Sequence, residues 1–337
     1  MRLGASHSTT DTGRKRRRNE DAFVSAPPLF AVADGMGGAQ AGEVASALAA
    51  ATLRESRAVD GGEDRVVALV HEANRRVHAR ATSDAAASGM GTTITAALVA
   101  GDGTIAVGHV GDSRAYRLRD GVLEQLTDDH SLVAELVRRG ELSPAEAEVH
   151  PQRSVITRAL GTDPDVDVDA FTTAGAPGDL YLLCSDGLSS MVDSRVINEI
   201  LVRERADLPA AARALVDAAN RSGGEDNITV VLFELIDDGE LPAAGGPNER
   251  TQEYAAPVFD DEDTLHPGDG IRIPHQDDTM VVPAAEVQAA LGGDVSVAEH
   301  ESPQVHRAGV GQHLLALLVI VGLTALIVLL VWRGLAR

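Results

Sequence analysis

Ala31-Val32-Ala33-Asp34-Gly35-Met36-Gly37-Gly38 is an apolar run that stops at a carboxylate and passes at once into three glycines within four positions. Such a run, closed by Asp-Gly, predicts a buried strand that delivers Asp34 to its open end. The glycines let the backbone approach whatever Asp34 holds, and the alanine-rich residues 40–57 that follow have the propensity of a helix. A carboxylate fixed at a strand end beside bare backbone suits a hard cation. A single Asp-Gly step is equally an ordinary turn. Its recurrence along the chain decides between the two.

Working outward, residues 63–82 carry Val66, Leu69, Val70, Ala73 and Val77 at helical spacing, a core-facing stripe. Residues 93–100 and 104–110, joined by Gly101-Asp102-Gly103, predict a β-hairpin. It runs into Gly111-Asp112-Ser113-Arg114 and a further strand over 115–118, which puts Asp112 beyond an apolar strand as Asp34 is. Residues 131–140 return to helical spacing, and Ser143-Pro144 with Glu146 reads as a helix start. Leu180-Tyr181-Leu182-Leu183-Cys184-Ser185-Asp186-Gly187 repeats the buried strand closed by Asp-Gly, and Asp226-Asn227 precedes a β-branched strand over 228–235. Asp34, Asp112, Asp186 and Asp226 therefore all fall at strand ends, which turns alone do not explain.

Near the start, Gly13-Arg14-Lys15-Arg16-Arg17-Arg18-Asn19-Glu20-Asp21 sets a basic cluster beside two acidic residues. An arginine fork matches phosphate oxygens in pairs, so a phosphate-binding guanidinium next to metal-binding carboxylates is one expectation, and a solvated charge run is the other. With 337 residues and 44% hydrophobic content the chain can bury a sizeable core. A formal charge of −22 argues against a general nucleic-acid binder. The single cysteine, Cys184, excludes an internal disulfide framework and fits a reducing compartment. Ser190 stands six residues after it, where a cysteine-based phosphatase needs arginine. Lys15 is the only lysine and lies outside any P-loop or kinase motif, and the 11 histidines show no paired-ligand spacing.

The series Gly13-x-x-Arg16-x-x-Asn19-Glu20-Asp21, Ala33-Asp34-Gly35-Met36-Gly37-Gly38, Gly91-Thr92-Thr93, Gly111-Asp112-Ser113-Arg114, Leu126-Thr127-x-Asp129-His130-Ser131, Thr157-Arg158-Ala159-Leu160-Gly161, Ser185-Asp186-Gly187-Leu188 and Asp226-Asn227-Ile228-Thr229 resembles the metal-dependent serine/threonine protein phosphatases of type 2C (PPM). The resemblance runs through nearly all of residues 1–236 in the family's order, and with the segments that follow it extends to membrane-anchored bacterial members. It implies an α+β fold, a four-layer αββα sandwich of two antiparallel sheets flanked by helices. It also implies hydrolysis of phosphoserine and phosphothreonine in proteins, opposing bacterial eukaryotic-like serine/threonine kinases. Two Mn2+ or Mg2+ ions per active site are implied, with room for a third, weaker site. By matching motifs, Asp34, Asp186 and Asp226 would ligate one ion, and Asp34, the Gly35 carbonyl and Glu20 the second. Asp21 would orient a water, and Arg16 would grip the substrate phosphate. Asp112, with Asp186 and Ser154, would form the third site. Met36 stands where several non-bacterial relatives have histidine, which leaves the proton donor to the leaving group unassigned. The alternative is a catalytically silent phosphoprotein-sensing module on the same fold; such a module would be expected to lack metal ligands, and none is missing.

Residues 1–236 are thus expected to form a monomeric catalytic domain. Residues 237–303 contain 16 acidic and 2 basic residues and few large apolar ones, which predicts a disordered, self-repelling linker over 237–312. Within 313–332, the 19-residue run Leu314 to Trp332 is uninterrupted by charge and long enough to cross a bilayer as a helix, leaving a tail of 333–337. Arginines and histidine flank the run on both sides, so charge does not orient it. No secretory signal is visible at the N-terminus, and the expectation is a single-pass plasma-membrane protein with its catalytic domain in the cytoplasm.

Overall fold

The computed structural model describes residues 1–37, 41–56, 61–237, 239 and 280–281. The strands are β1 (Arg2–Asp11), β2 (Asp21–Ala26), β3 (Leu29–Met36), β4 (Gly91–Thr92), β5 (Ile94–Val99), β6 (Thr104–Val110), β7 (Arg114–Arg119), β8 (Val122–Gln125), β9 (Val155–Ile156), β10 (Asp169–Ala174), β11 (Leu180–Cys184), β12 (Ile228–Ile236) and β13 (Met280–Val281). The helices are α1 (Ala41–Glu55), α2 (Gly62–Ser83), α3 (Leu132–Arg138), α4 (Pro144–Glu148), α5 (Asp186–Ser189), α6 (Ser194–Arg203) and α7 (Leu208–Arg221). One antiparallel sheet has the order β1-β12-β11-β7-β8, and the other β10-β6-β5-β3-β2 with β4 attached to β3.

Side-chain alternation along the strands builds three apolar layers. On β12, Val231, Phe233 and Leu235 point between the sheets, while Ile228, Val230 and Leu232 point to α6 and α7. On β3, Phe30 and Val32 face between the sheets, and Leu29, Ala31 and Ala33 face α1 and α2. A strand covered on both faces must be apolar throughout, which is why these segments read as continuous hydrophobic runs. Phe233 stacks on Phe30 of the facing sheet at 4.3 Å and on Tyr181, its cross-strand neighbour in the same sheet, at 5.0 Å, so one aromatic contact bridges the two sheets. The result is helix, sheet, sheet, helix.

The helices begin where local chemistry starts them. Ser143 and Glu146 form a reciprocal capping box at α4, and the Asp207 side chain accepts from the Ala210 amide at the start of α7. In α1, Ala41, Ala45, Ala49 and Leu53 share the buried face, and their small side chains bring the helix axis close to β3 and β2. Beyond β12, Met280–Val281 pairs in parallel with Val155–Ile156. Among the described residues no helix is long and apolar enough to cross a membrane. The predicted span at 313–332, and nearly all of the predicted linker, lie outside the described residues.

Candidate metal centre at the sandwich edge

The alternation that builds the inter-sheet layer also places the carboxylates. Asp34 follows Phe30 and Val32 on the inward face of β3, and Asp21 precedes Phe23 on the inward face of β2. The two aspartates are direct cross-strand partners. The opposite sheet supplies Thr229, in phase with Val231, and Ser185, which follows the end of β11. Both hydroxyls donate to Asp21 Oδ2, from Ser185 at 2.7 Å and from Thr229 at 2.6 Å. Asp21 thus ties the sheets together at the end of the apolar layer.

The backbone of Asp34 is gripped just as firmly. Its amide donates to Thr93 Oγ1 at 3.0 Å, and its carbonyl accepts from the Thr93 amide and from Thr92 Oγ1, both at 2.9 Å. Thr93 Oγ1 is 2.7 Å from Ser113 Oγ, which links the Asp34 strand to the turn carrying Asp112. That turn is closed from the other side by His130, whose amide donates to the Gly111 carbonyl and whose Nδ1 accepts from the Gly111 amide at 3.0 Å. At Gly35, a Cβ would lie 2.1 Å from the Gly42 carbonyl oxygen and 2.5 Å from that of Glu20, so only glycine lets β3, α1 and the Glu20 backbone meet. Glu20 reaches the same place: a Cβ on Gly42 would lie 2.6 Å from its Oε2.

Asp186 and Asp226 complete the cluster. Asp186 begins α5 rather than ending a strand, because β11 stops at Cys184 and Ser185 already turns the chain. It lies within hydrogen-bonding reach of the Asp34 carboxyl. Asp226 Oδ2 is paired with Arg16 Nη2 at 2.8 Å, and Asp226 Oδ1 accepts from the Asn227 amide. Asn227 is the clamp of this corner. Its Oδ1 accepts from the Glu20 amide at 2.7 Å, and its Nδ2 donates to the carbonyls of Thr12 and Arg18 at 3.0 and 2.9 Å.

These carboxyl groups burden one another. Burial, then the charges of Asp226 and Asp186, pushes Asp21 up to about 8 against the donors on its Oδ2. Burial, with Asp21, Asp186 and Asp226 nearby, holds Asp34 well above the ordinary carboxylate range. Asp112 is raised in the same way by burial, Asp186 and Asp129, and Asp186 is raised to about 6 by burial and Asp226. Asp21 Oδ1 and Asp186 Oδ1 are buried without a hydrogen-bond partner. Repulsion and orphaned acceptors together call for positive charge beyond Arg16. Among the described residues no three His, Cys, Asp or Glu side chains stand in a geometry that by itself holds a metal ion. The donors gathered here are all oxygens, the type that suits Mg2+ or Mn2+.

Asp21, Asp34, Asp112, Asp186 and Asp226 are thus brought together, with Glu20, Gly35 and Arg16 at the margin. Ser154 makes no hydrogen bond to them; it precedes β9, whose Ile156 packs on Met36 beside Ala159. Cys184 is fully buried, and burial pushes its thiol up to about 12, which rules out a thiolate nucleophile.

Residues 4–220 match the family described as protein phosphatase 2C. The serine/threonine phosphatase stp of Listeria monocytogenes is 43% identical over 237 residues, 67% of this chain and 93% of the relative. The serine/threonine protein phosphatase PstP of Mycobacterium tuberculosis is 42% identical over 231 residues, 68% of this chain and 44% of the relative. The crystal structure of the M. tuberculosis phosphatase PstP/Ppp superposes with a TM-score of 0.65 at 40% identity, covering 70% of this chain and all of that one. The PstP catalytic domain in complex with two manganese ions gives 0.64 at 38% identity, covering 70% of this chain and 99% of that one.

Proposed function

The chain belongs to the protein phosphatase 2C family, and from that premise we propose that it is a protein-serine/threonine phosphatase that uses two Mn2+ or Mg2+ ions. The observation that carries this is the set of five aspartates at the open end of the inter-sheet layer, Asp21 and Asp112 buried and Asp34, Asp186 and Asp226 half-buried, with Arg16 on its margin. Asp34, Asp186 and Asp226 would hold one ion; Asp34, the Gly35 carbonyl and Glu20 would hold the second, and Asp112 a weaker third, to which Ser154 would contribute. When bound, such ions acidify water and neutralise charge on a transferring phosphoryl group. The chain's own residues do the rest. Asp21, pinned by Ser185 and Thr229, keeps Oδ1 turned to the cluster as an acceptor that orients water. Arg16 offers a planar fork for phosphate oxygens, and the Asn227 clamp fixes the backbone from which it reaches.

The test is hydrolysis of p-nitrophenyl phosphate and of a phosphothreonine peptide by the purified chain, with Mn2+ titrated in. Activity should rise from near zero in chelator, and full activity in excess chelator would refute the proposal. The apolar run within 313–332 and the acidic 237–312 support a further part of the same proposal, a single-pass anchor that tethers a cytoplasmic catalytic domain to the plasma membrane, where phosphorylated proteins including serine/threonine kinases would be substrates. Deleting residues 314–337 should then move active enzyme from the membrane fraction to the soluble one.

A further inference from the structure

Resting on the phosphatase reading, we infer that the loop between β1 and β2 is a cationic rim that selects phosphoprotein segments with acidic residues beside the phosphoresidue. Arg14, Lys15, Arg16, Arg17 and Arg18 are consecutive in a chain whose formal charge is −22, and they include its only lysine. The structure divides them. Arg16 turns inward to Asp226, while Arg14, Lys15, Arg17 and Arg18 are exposed. Arg14, Lys15 and Arg17 are thus exposed on the same short loop that carries Arg16, within three residues of the guanidinium that would meet a phosphate.

The rim is braced, which separates it from a solvated charge run. The amides of Arg14 and Lys15 both donate to the Gly224 carbonyl, at 2.7 and 3.1 Å. The Thr12 and Arg18 carbonyls are both held by Asn227 Nδ2. Gly13 has a φ of +77°, and a Cβ there would lie 2.2 Å from the Asp226 carbonyl oxygen. The loop is thus pressed onto the turn that bears Asp226, and its exposed side chains keep a fixed origin relative to the site. On the α1 side, Arg18 lies 3.9 Å from Glu43. Five residues of backbone span at most about 17 Å, the length of roughly five residues of an extended peptide. Their charges therefore meet the residues immediately flanking the phosphoresidue and not more distant ones, since screening limits exposed charges to about 8–10 Å at physiological salt.

Several exposed pairs of modest strength acting together should give about a ten-fold preference in kcat/KM at low salt, shrinking as salt rises. The experiment uses the full chain with Mn2+ and two phosphothreonine peptides that differ only in having Asp or Ala at the two positions on each side. The expected result is the ten-fold preference for the acidic peptide in the wild type, carried by KM, and its reduction below two-fold in the Arg14→Gln/Lys15→Gln/Arg17→Gln variant. Equal hydrolysis of both peptides by the wild type, or a preference that survives in the triple variant, overturns the rim while leaving the phosphatase reading intact. Failure of the wild type to hydrolyse either peptide or p-nitrophenyl phosphate overturns both.

Discussion

Replacing Asn227 should cost the domain both stability and the geometry of its substrate site. The side chain is almost fully buried, at 3% exposure, and makes three hydrogen bonds, to the Glu20 amide at 2.7 Å and to the Thr12 and Arg18 carbonyls at 3.0 and 2.9 Å. Asn227→Ala deletes all three and leaves a partly buried amide and two carbonyls to find water. At about 1 kcal/mol for each net bond, with part of the desolvation penalty added, the loss should be about 2–4 kcal/mol. For a domain of this size that lowers the thermal midpoint by about 5–15 °C. Asn227→Asp separates packing from bonding. It keeps the acceptor for Glu20 but sets a carboxylate oxygen against two carbonyl oxygens, so it should destabilise at least as much. Urea unfolding, read by circular dichroism, gives the stability of each variant. The same variants should raise KM for p-nitrophenyl phosphate, because Arg16 and Glu20 lie on the segment that Asn227 holds. An Asn227→Asp protein as stable as wild type, with unchanged KM, would refute the clamp.

Asp34→Asn and Asp186→Asn should each lower Mn2+-dependent turnover by orders of magnitude, yet leave the thermal midpoint in chelator unchanged or higher, because each removes a buried carboxyl repelled by its neighbours; turnover near wild type would contradict the site. Arg16→Ala should raise KM about ten-fold or more with a smaller effect on kcat, and an unchanged KM with weakened Mn2+ affinity would reassign Arg16 to the metal centre. Burial holds His109 down to about 4 and His130 to about 3, below the ordinary 6.5. As pH falls from about 6.5 towards 4 the unfolded chain takes up protons that the folded one refuses, so stability is lost across that window. His109→Gln should be less stable at neutral pH but lose less on acidification, as urea titrations at about pH 7 and pH 5 would record; identical slopes would count against the buried neutral pair.

The carboxylates were legible in the sequence because Asp34, Asp112 and Asp186 each interrupt an apolar pattern next to glycine. What holds them was not. Thr93, Ser185 and Thr229 look like ordinary residues in or beside buried strands, and only the pairing of strands distant in sequence turns them into hydrogen-bond partners of Asp21 and Asp34, with Ser113 behind Thr93. Asn227 and His130 stood inside quoted motifs without a role, since their partners lie far away along the chain. β1 and β10 escaped for a different reason. Both are edge strands rich in serine, threonine and other polar or small residues, paired on one side only, so neither shows the apolar run that marks β3, β11 and β12. The arginine-rich loop was legible as composition, but the division between inward Arg16 and its exposed neighbours needed the structure.

The centre is assembled from both sheets, and this ties its chemistry to the core. Asp21 and Asp34 come from β2 and β3, whereas Ser185, Asp186, Asp226 and Thr229 come from the ends of β11 and β12. Nothing in the local sequence of either sheet fixes the distance between these groups. That distance follows from the packing between the sheets, where Phe30 stacks on Phe233, and from the two hydroxyls that close on Asp21. Charge pushes the other way: burial, and then the neighbouring carboxylates, raise Asp21 and Asp34 above the ordinary carboxylate range, so gathering these groups carries a cost. Any cation that binds only the folded arrangement must stabilise the fold, by an amount that grows with the logarithm of its concentration over its dissociation constant. The aromatic layer brings the two sets of carboxylates together, and the ions they demand would hold the sheets at that spacing.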